Sequence, residues 1–126
     1  MKKVLAVFAM LLLIAGIAYA KNYEVSKKTG DYEVKVEIDK NPPVTGENNV
    51  EIEITDASGH HVADAKVELY YFMPSMPAMN YTAVARLEGT RYNATIELVM
   101  GGGWSVEVKF TRPDEKEHKV TFNFKV

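Results

Sequence analysis

The sequence predicts an all-β protein, an immunoglobulin-like antiparallel β-sandwich of about seven strands. The first observation behind this prediction is alternation: Tyr92, Ala94, Ile96 and Leu98 are separated by polar residues, as in most of the chain. A period of two is typical of a strand with one buried face and one face in water. The second observation is that Gly, Pro, Asn and Asp recur every 8–12 residues or so, which is the turn spacing of a sandwich.

The alternating runs define the strands in order along the chain. β-branched and aromatic side chains fill these runs, as a pleated surface favours. The predicted strands cover residues 31–39, 49–56, 63–72, 81–88, 91–99, 104–111 and 118–126. A further short strand near residues 22–28 is expected to pair at the edge. Turn sequences such as Arg112-Pro113-Asp114 separate the strands.

Residues 1–20 are set apart from this domain. They contain two lysines, an uncharged apolar run and the small-residue ending Ala18-Tyr19-Ala20, which is the pattern of a signal peptide cleaved before Lys21. The alternative is an uncleaved membrane anchor, since residues 4–20 approach the length of about 20 apolar residues that spans a bilayer. Both interpretations predict that residues 21–126 form one secreted or periplasmic domain.

The composition excludes several classes of protein. Without Lys2 and Lys3, 13 basic and 17 acidic residues remain, whereas a nucleic-acid-binding protein carries a basic stripe. The chain has no cysteine, so a metal site would use His, Met or carboxylate ligands. The motifs of hydrolases, metalloproteases and phosphate-binding loops are absent, and we expect that the protein is not an enzyme. The sequence does not predict an oligomeric state.

The stretch YYFMPSMPAMNY, residues 70–81, is the main candidate site. Met73, Met76 and Met79 recur every third residue, with a proline after each of the first two. Proline favours the polyproline II conformation, whose period of three would place the three thioethers on one edge of a loop. Thioethers suit Cu(I) or Ag(I). The alternatives are gap filling in the core and a methionine patch that binds a partner protein.

Chain direction separates the candidate ligands between the two ends of the sandwich. Strand 63–72 lies between His60-His61 and the methionines, and ten residues of strand span about 30 Å. We call the end with residues 73–79 the methionine pole, and the opposite end the histidine pole. A single site that combines the histidines with the methionines is therefore not expected.

Two further residues are predicted to join the methionine pole. Met100 follows strand 91–99, and Trp104 begins the next strand. Met100 would add a fourth sulfur to the site, and Trp104 would cover the ion with the face of its indole ring. For both residues the alternative is packing in the core.

A harder metal site at the histidine pole is a further hypothesis. Imidazole and carboxylate ligands would suit Cu(II) or Zn(II). The candidate ligands are His60, His61, His118, Asp114, Glu115 and Glu117. The alternative is that these are ordinary turn residues in contact with solvent.

A series of short motifs runs through residues 42–110. Pro and Gly-x-Asn precede a strand, followed by Asp-x-x-Gly, an Ala-x-Val strand, a Met-Pro-x-Met loop, a strand with Tyr, a Met-x-Gly turn and a Trp. The matching residues are Pro43, Gly46, Asn48, Asp56, Gly59, Ala65, Val67, Met73, Pro74, Met76, Tyr92, Met100, Gly102 and Trp104. In this order and spacing they resemble the YtkA-like family, which overlaps the FixH-like domains.

This resemblance implies an extracytoplasmic immunoglobulin-like sandwich associated with copper delivery, oxidase assembly or heavy-metal efflux. Its expected partners are a metal ion and membrane proteins of oxidase assembly, copper transport or efflux. Many FixH-like members keep an N-terminal membrane helix, which favours the anchor interpretation of residues 4–20. The leading hypothesis is a module that binds Cu(I) through its methionines. The alternative is a metal-free interaction domain of a membrane-associated complex.

Overall fold

A computed structural model describes residues 22–126, so the leader predicted for residues 1–20 lies outside the described residues. Within residues 22–126 the chain forms β-strands and no helix, which confirms the predicted fold class. None of this described part is a helix of the length and apolarity needed to cross a membrane. The strands are β1 (Tyr23–Thr29), β2 (Tyr32–Ile38), β3 (Gly46–Thr55), β4 (Lys66–Met73), β5 (Met76–Glu88), β6 (Arg91–Leu98), β7 (Gly103–Thr111) and β8 (His118–Lys125).

The strands form two antiparallel layers that share one strand. Their order is β1-β2-β3-β6-β5-β4-β7-β8. Met76 and residues 80–85 of β5 pair with β4, whereas residues 86–88 pair with β6, so β5 crosses from one layer to the other. On the opposite side β1 approaches β8, and Tyr23 packs on Phe122 and Phe124 with ring centroids 6.1 and 5.7 Å apart. The result is a β-sandwich that is nearly closed along that side.

The core lies between the two layers and follows the predicted alternation. On β2, Val34, Val36 and Ile38 are fully buried, while the residues between them are only half-buried. Each fully buried side chain of this kind stabilises the fold by about 1.5–3 kcal/mol. The largest of them are Trp104, Tyr92, Phe110, Ile38, Ile52, Ile54, Leu69, Ile96 and Leu98.

The predicted strands agree with the structure except around the methionines. The edge strand predicted near residues 22–28 is confirmed as β1. The predicted polyproline II loop is wrong, because β4 and β5 continue to a turn of only Pro74 and Ser75. Polyproline II has no internal hydrogen bonds, whereas this segment gains the backbone pairing of a hairpin. A register shift between Phe72 and Met73 accommodates the tight turn.

The chain reversals divide the loops between the two ends as predicted. Residues 39–45, 74–75 and 99–102 lie at the methionine pole, because each follows a strand that runs toward that end. The loops of residues 56–65 and 112–117 lie at the histidine pole, where Arg112 forms an ion pair with Asp64. The fold therefore gives the two sets of candidate ligands separate surroundings.

Candidate functional site

The β4–β5 hairpin positions two of the predicted methionines. Met73 ends β4 and Met76 begins β5, and their Cα atoms face each other across the turn. Met73 points into the core and is only 3% exposed, whereas Met76 is 43% exposed. These two thioethers therefore start from opposite environments, one dry and one in contact with solvent.

Met79 lies three residues further along β5, on its inward side. It is half-buried against the core, and the Tyr81 hydroxyl donates a hydrogen bond to its sulfur at 3.6 Å. Residues 77–79 have no partner on β4, so strand alternation does not extend from Met76 to Met79. Met76 is exposed and Met79 is half-buried, so the two side chains lie in different surroundings. The predicted arrangement of three thioethers on one edge is therefore wrong, and a metal ion at Met79 would have to replace the tyrosine hydrogen bond.

Met100 and Trp104 come to the same pole and are joined by a hydrogen bond. The Trp104 indole N–H donates to the Met100 carbonyl oxygen at 3.0 Å. The indole ring is 1% exposed and packs near Tyr71 and Tyr81, with centroids 6.0 and 6.4 Å apart. The Met100 residue is 36% exposed. Trp104 thus belongs to the core, where it holds the backbone that presents Met100.

Gly102 sets the approach of this connection to the hairpin. Its φ of +130° lies in the region that favours glycine. A Cβ at this position would lie 2.7 Å from the Met73 methyl carbon, so no larger residue fits without a shift. Gly102 and Val126 exchange two backbone hydrogen bonds of 3.0 and 2.9 Å. The Met73 thioether methyl is therefore in contact with Gly102, which lies two residues after Met100.

The loop before β3 adds apolar surface at the methionine pole, which the sequence did not single out. Val44 and Val99 are 39% and 45% exposed. Gly46 pairs with Leu98, so Val44, which precedes Gly46, and Val99, which follows Leu98, lie at the same end. The buried Asn48 side chain fixes this loop, since it accepts from the Val44 N–H and donates to the Val44 and Gly46 carbonyls. A sequence signal existed, because Val99 directly follows Leu98 and breaks the alternation.

The three histidines at the opposite end go to separate partners. His61 Nδ1 lies 3.3 Å from Glu53 Oε2, and the His60 side chain is 80% exposed. The His118 ring stacks on Phe110 with centroids 5.2 Å apart. Over residues 22–126, no three His, Asp or Glu side chains are grouped so that they would hold a metal ion. The harder site considered from the sequence is therefore wrong for this part of the chain.

A charged network closes the histidine pole instead. The Arg112 guanidinium donates to Asp64 at 2.8 Å and to the Tyr32 hydroxyl at 3.2 Å, and that hydroxyl donates to Glu115 at 2.9 Å. The hydrogen bond to Asp64 holds the pKa of Arg112 above its usual value. Arg112 therefore stays protonated and acts as a structural tie between two loops.

Tyr92 is a second tie at this pole, and sequence reasoning missed it. Its ring is 1% exposed, its hydroxyl donates to the Val62 carbonyl at 2.9 Å, and it accepts from the Ala65 N–H at 3.1 Å. Both backbone groups would otherwise lack a strand partner. Alternation alone does not distinguish Tyr92 from an apolar residue, and its place in the Tyr-containing strand of the motif series was the one sequence signal.

Comparisons with known proteins agree with this architecture. Residues 26–109 match the family model described as YtkA-like. The crystal structure of FetP from uropathogenic E. coli strain F11, expressed recombinantly in the periplasm of E. coli, is similar with a TM-score of 0.64 and 13% identity over 86% of this chain and 97% of that chain. A DUF4426 family protein from Pseudomonas aeruginosa PAO1 has a TM-score of 0.59 and 13% identity over 82% and 94%. Such identities show the fold alone. No curated protein matches this chain.

Proposed function

The chain belongs to the YtkA-like family, and from this premise we propose that it is an extracytoplasmic metal-handling domain that binds Cu(I) at its methionine pole. It captures the ion and hands it over by ligand exchange, in copper delivery or heavy-metal efflux, with no bond-making chemistry. The leader pattern of residues 1–20 supports export to the periplasm or beyond, with either a cleaved or an anchored N-terminus.

The observation that carries the proposal is the convergence of all four methionines of the domain at one end. Met76 faces Met73 across the turn, and Met73 touches the chain beside Met100. Met76 and Met100 are exposed and meet the ion first. Met73 and Met79 complete the site by rotating their flexible side chains toward it.

Trp104 acts in this site through the backbone. Its indole N–H fixes the Met100 carbonyl, which limits where the Met100 sulfur can reach. The ring itself is buried, so its part in the proposed site is structural. Trp104 therefore positions the ligand Met100. The cation–π contact expected from the sequence would add stabilisation only if the ion lay against the face of the ring.

Neutral thioether ligands explain why such a site would serve outside the cytoplasm. Soft sulfur ligands select Cu(I) over Zn(II), Mg(II) or Ca(II). A thioether has no proton to lose near neutral pH, so the affinity for Cu(I) should not change between about pH 7 and pH 5, whereas imidazole ligands with pKa values near 6.5 would weaken. The partners that fit are membrane proteins of oxidase assembly, copper transport or efflux.

The test is an anaerobic Cu(I) titration of the purified protein in competition with a chromophoric chelator. The Met73, Met76 and Met79→Leu triple variant keeps nearly the same volume and apolarity, and we expect it to lose the copper that the wild type retains. The double variant Met76→Leu with Met100→Leu should slow capture. The matched control is His60→Ala with His61→Ala at the opposite pole, which should bind as the wild type does. Equal retention by the triple variant and the wild type would contradict the proposal.

A second function is favoured by the exposed apolar residues at the same pole. Val44, Met76, Val99 and Met100 are each at least 36% exposed, and such a surface also suits a metal-free domain that docks onto a membrane-complex partner. This alternative predicts that the Met→Leu triple variant still binds its partner. It also predicts that Val44→Asp with Val99→Asp abolishes partner binding and that neither the wild type nor this variant retains copper, as measured by co-purification and titration of the same samples.

A further inference from the structure

One long strand edge of the sandwich has no partner within the described residues. Strand β5 has 13 residues, and its residues 80–85 pair with β4 on one side only. On the other side β6 joins β5 at residues 86–88 alone. At the start of this edge, the Asn80 side-chain amide donates to the carbonyls of Pro77 and Ala78. The unpaired edge therefore runs over residues 79–85, and its backbone N–H and C=O groups can accept another strand.

The side chains beneath this edge are also incompletely covered. Met79, Tyr81 and Ala83 point inward from β5, yet each is only half-buried, whereas Ala85, at the point where β5 crosses, is buried. On the outer face, Val84 is 65% exposed. An additional strand beside β5 would cover both faces at once.

The edge of β5 differs in charge from the strands at the two ends of the sheet order, and this difference bears on which strand can pair with it. The strands at the two ends of the sheet order carry lysines, Lys27 and Lys28 on β1 and Lys119 and Lys125 on β8, which is how monomeric proteins protect their edges. These two strands also lie against each other. Residues 79–85 of β5 carry no charge, so an identical strand placed opposite them meets no like-charge repulsion.

We propose that the protein forms a homodimer in which residues 79–85 of β5 pair antiparallel with the same residues of a second copy. A two-fold axis makes such an interface self-complementary, since residue i of one copy faces residue j of the other and residue j faces residue i. The centre of the segment, Thr82, lies on this axis and faces its own copy. The layer that contains β4, β5, β7 and β8 then continues across both molecules as one sheet.

The test uses charge at the centre of the edge. Thr82 is exposed, so Thr82→Lys and Thr82→Glu leave the fold of one copy unchanged, but each puts like charges directly opposite, with Cβ atoms about 4.5–5.5 Å apart. Sedimentation velocity should give twice the chain mass for the wild type and the chain mass for each variant. An equimolar mixture of the two variants should regain the dimer, because lysine then faces glutamate. The matched control is Thr121→Lys, an exposed threonine of β8 in the same layer, which should remain dimeric.

Two results would overturn the proposal. One is a wild type that stays monomeric at the highest concentration reached, which means that the edge is not used between copies. The other is dimerisation of Thr82→Lys and Thr82→Glu alone, which means that the contact lies elsewhere. Circular dichroism of each variant verifies that the fold is kept, so a monomeric variant reports on the interface.

Discussion

The two poles of this sandwich are closed by different chemistry. At the histidine pole, charged and hydroxyl groups tie the loops together, with Arg112 bound to Asp64 and Tyr92 bound to two backbone groups. At the methionine pole no ion pair joins two loops within the described residues; closure relies on the contact of Gly102 with Met73, the indole hydrogen bond of Trp104 and the hydrogen bonds of the uncharged Asn48 side chain. The first pole has its polar groups paired with each other, whereas the second keeps uncharged sulfur atoms near the surface. A protein that offers methionine sulfurs as ligands needs another pole whose closure uses no methionine, and the histidine pole is closed in this way.

The comparison is tested most strongly by adding one methyl group at each pole. Gly102→Ala puts a Cβ at 2.7 Å from Met73 at a φ of +130°, and we expect it to lower the free energy of unfolding by about 3 kcal/mol. Gly59→Ala at the histidine pole meets nothing within 4 Å at a φ of +85°, so its cost should be about 1 kcal/mol. Urea unfolding measures both. Equal losses would show that the close packing of Met73 on Gly102 is not what closes its pole.

A tyrosine at each pole provides the next test. Tyr92→Phe leaves the Val62 carbonyl and the Ala65 N–H without their partner and should cost about 2 kcal/mol. Tyr71→Phe removes one bond, from the Glu97 N–H at 3.1 Å, and should cost about 1 kcal/mol. The difference between the two losses of unfolding free energy, obtained from the urea midpoints at an unchanged denaturant slope, measures how much more the histidine pole depends on side-chain hydroxyls. A larger loss for Tyr71→Phe would contradict it.

Acid should weaken the histidine pole through Asp56. The His60 and Ser58 N–H groups donate to Asp56, and the bond from His60 in particular lowers the pKa of that carboxyl. Because the folded pKa lies below the unfolded value of about 3.9, the stabilisation is complete above about pH 4 and is lost as the pH falls further. Asp56→Asn keeps an acceptor oxygen but does not titrate.

The measurement for this prediction is urea unfolding between neutral and acidic pH. We expect the wild type to lose more stability than Asp56→Asn as the pH falls through the pKa of folded Asp56. Met76→Leu, at the other pole, should follow the wild-type pH profile, since neither side chain titrates. Parallel profiles for the wild type and Asp56→Asn would count against the role of Asp56.

The smallest effect is expected at the Arg112–Asp64 pair. Both side chains contact solvent, and exposed ion pairs contribute little and are screened by salt. Arg112→Gln should therefore shift the urea midpoint slightly at low ionic strength, and the shift should vanish in high salt. A salt-independent shift would indicate that packing of Arg112 over the Tyr32 ring, rather than charge, ties these loops.

Most of the fold followed from the sequence because strand alternation reports directly on burial. Ile96 and Leu98 alternate with polar residues and were predicted to be buried, and they are. The bend at which β5 changes layers was not predictable, since residues 85–86 carry no turn signal. It arises from the pairing of β5 with both β4 and β6, which are long-range contacts that local pattern cannot encode.

The candidate site was predicted in its location but not in its geometry. Chain direction alone brought Met100 and Trp104 to the pole of Met73, and the contact at Gly102 agrees with that. The prolines suggested a period of three on one edge, but in the β4–β5 hairpin Met76 is exposed while Met79 is half-buried. Whether Met76 lies inside or outside depends on a register shift beside Met73, which no local sequence rule specifies.

The strand shared by the two layers has a consequence for how the domain comes apart. Because β5 is bonded to β4 over one part and to β6 over the other, neither layer can dissociate while the other keeps its full set of strands. Loss of β5 would expose the inner faces of both layers together. Unfolding should therefore be a single cooperative event, and one continuous strand makes two sheets a single thermodynamic unit.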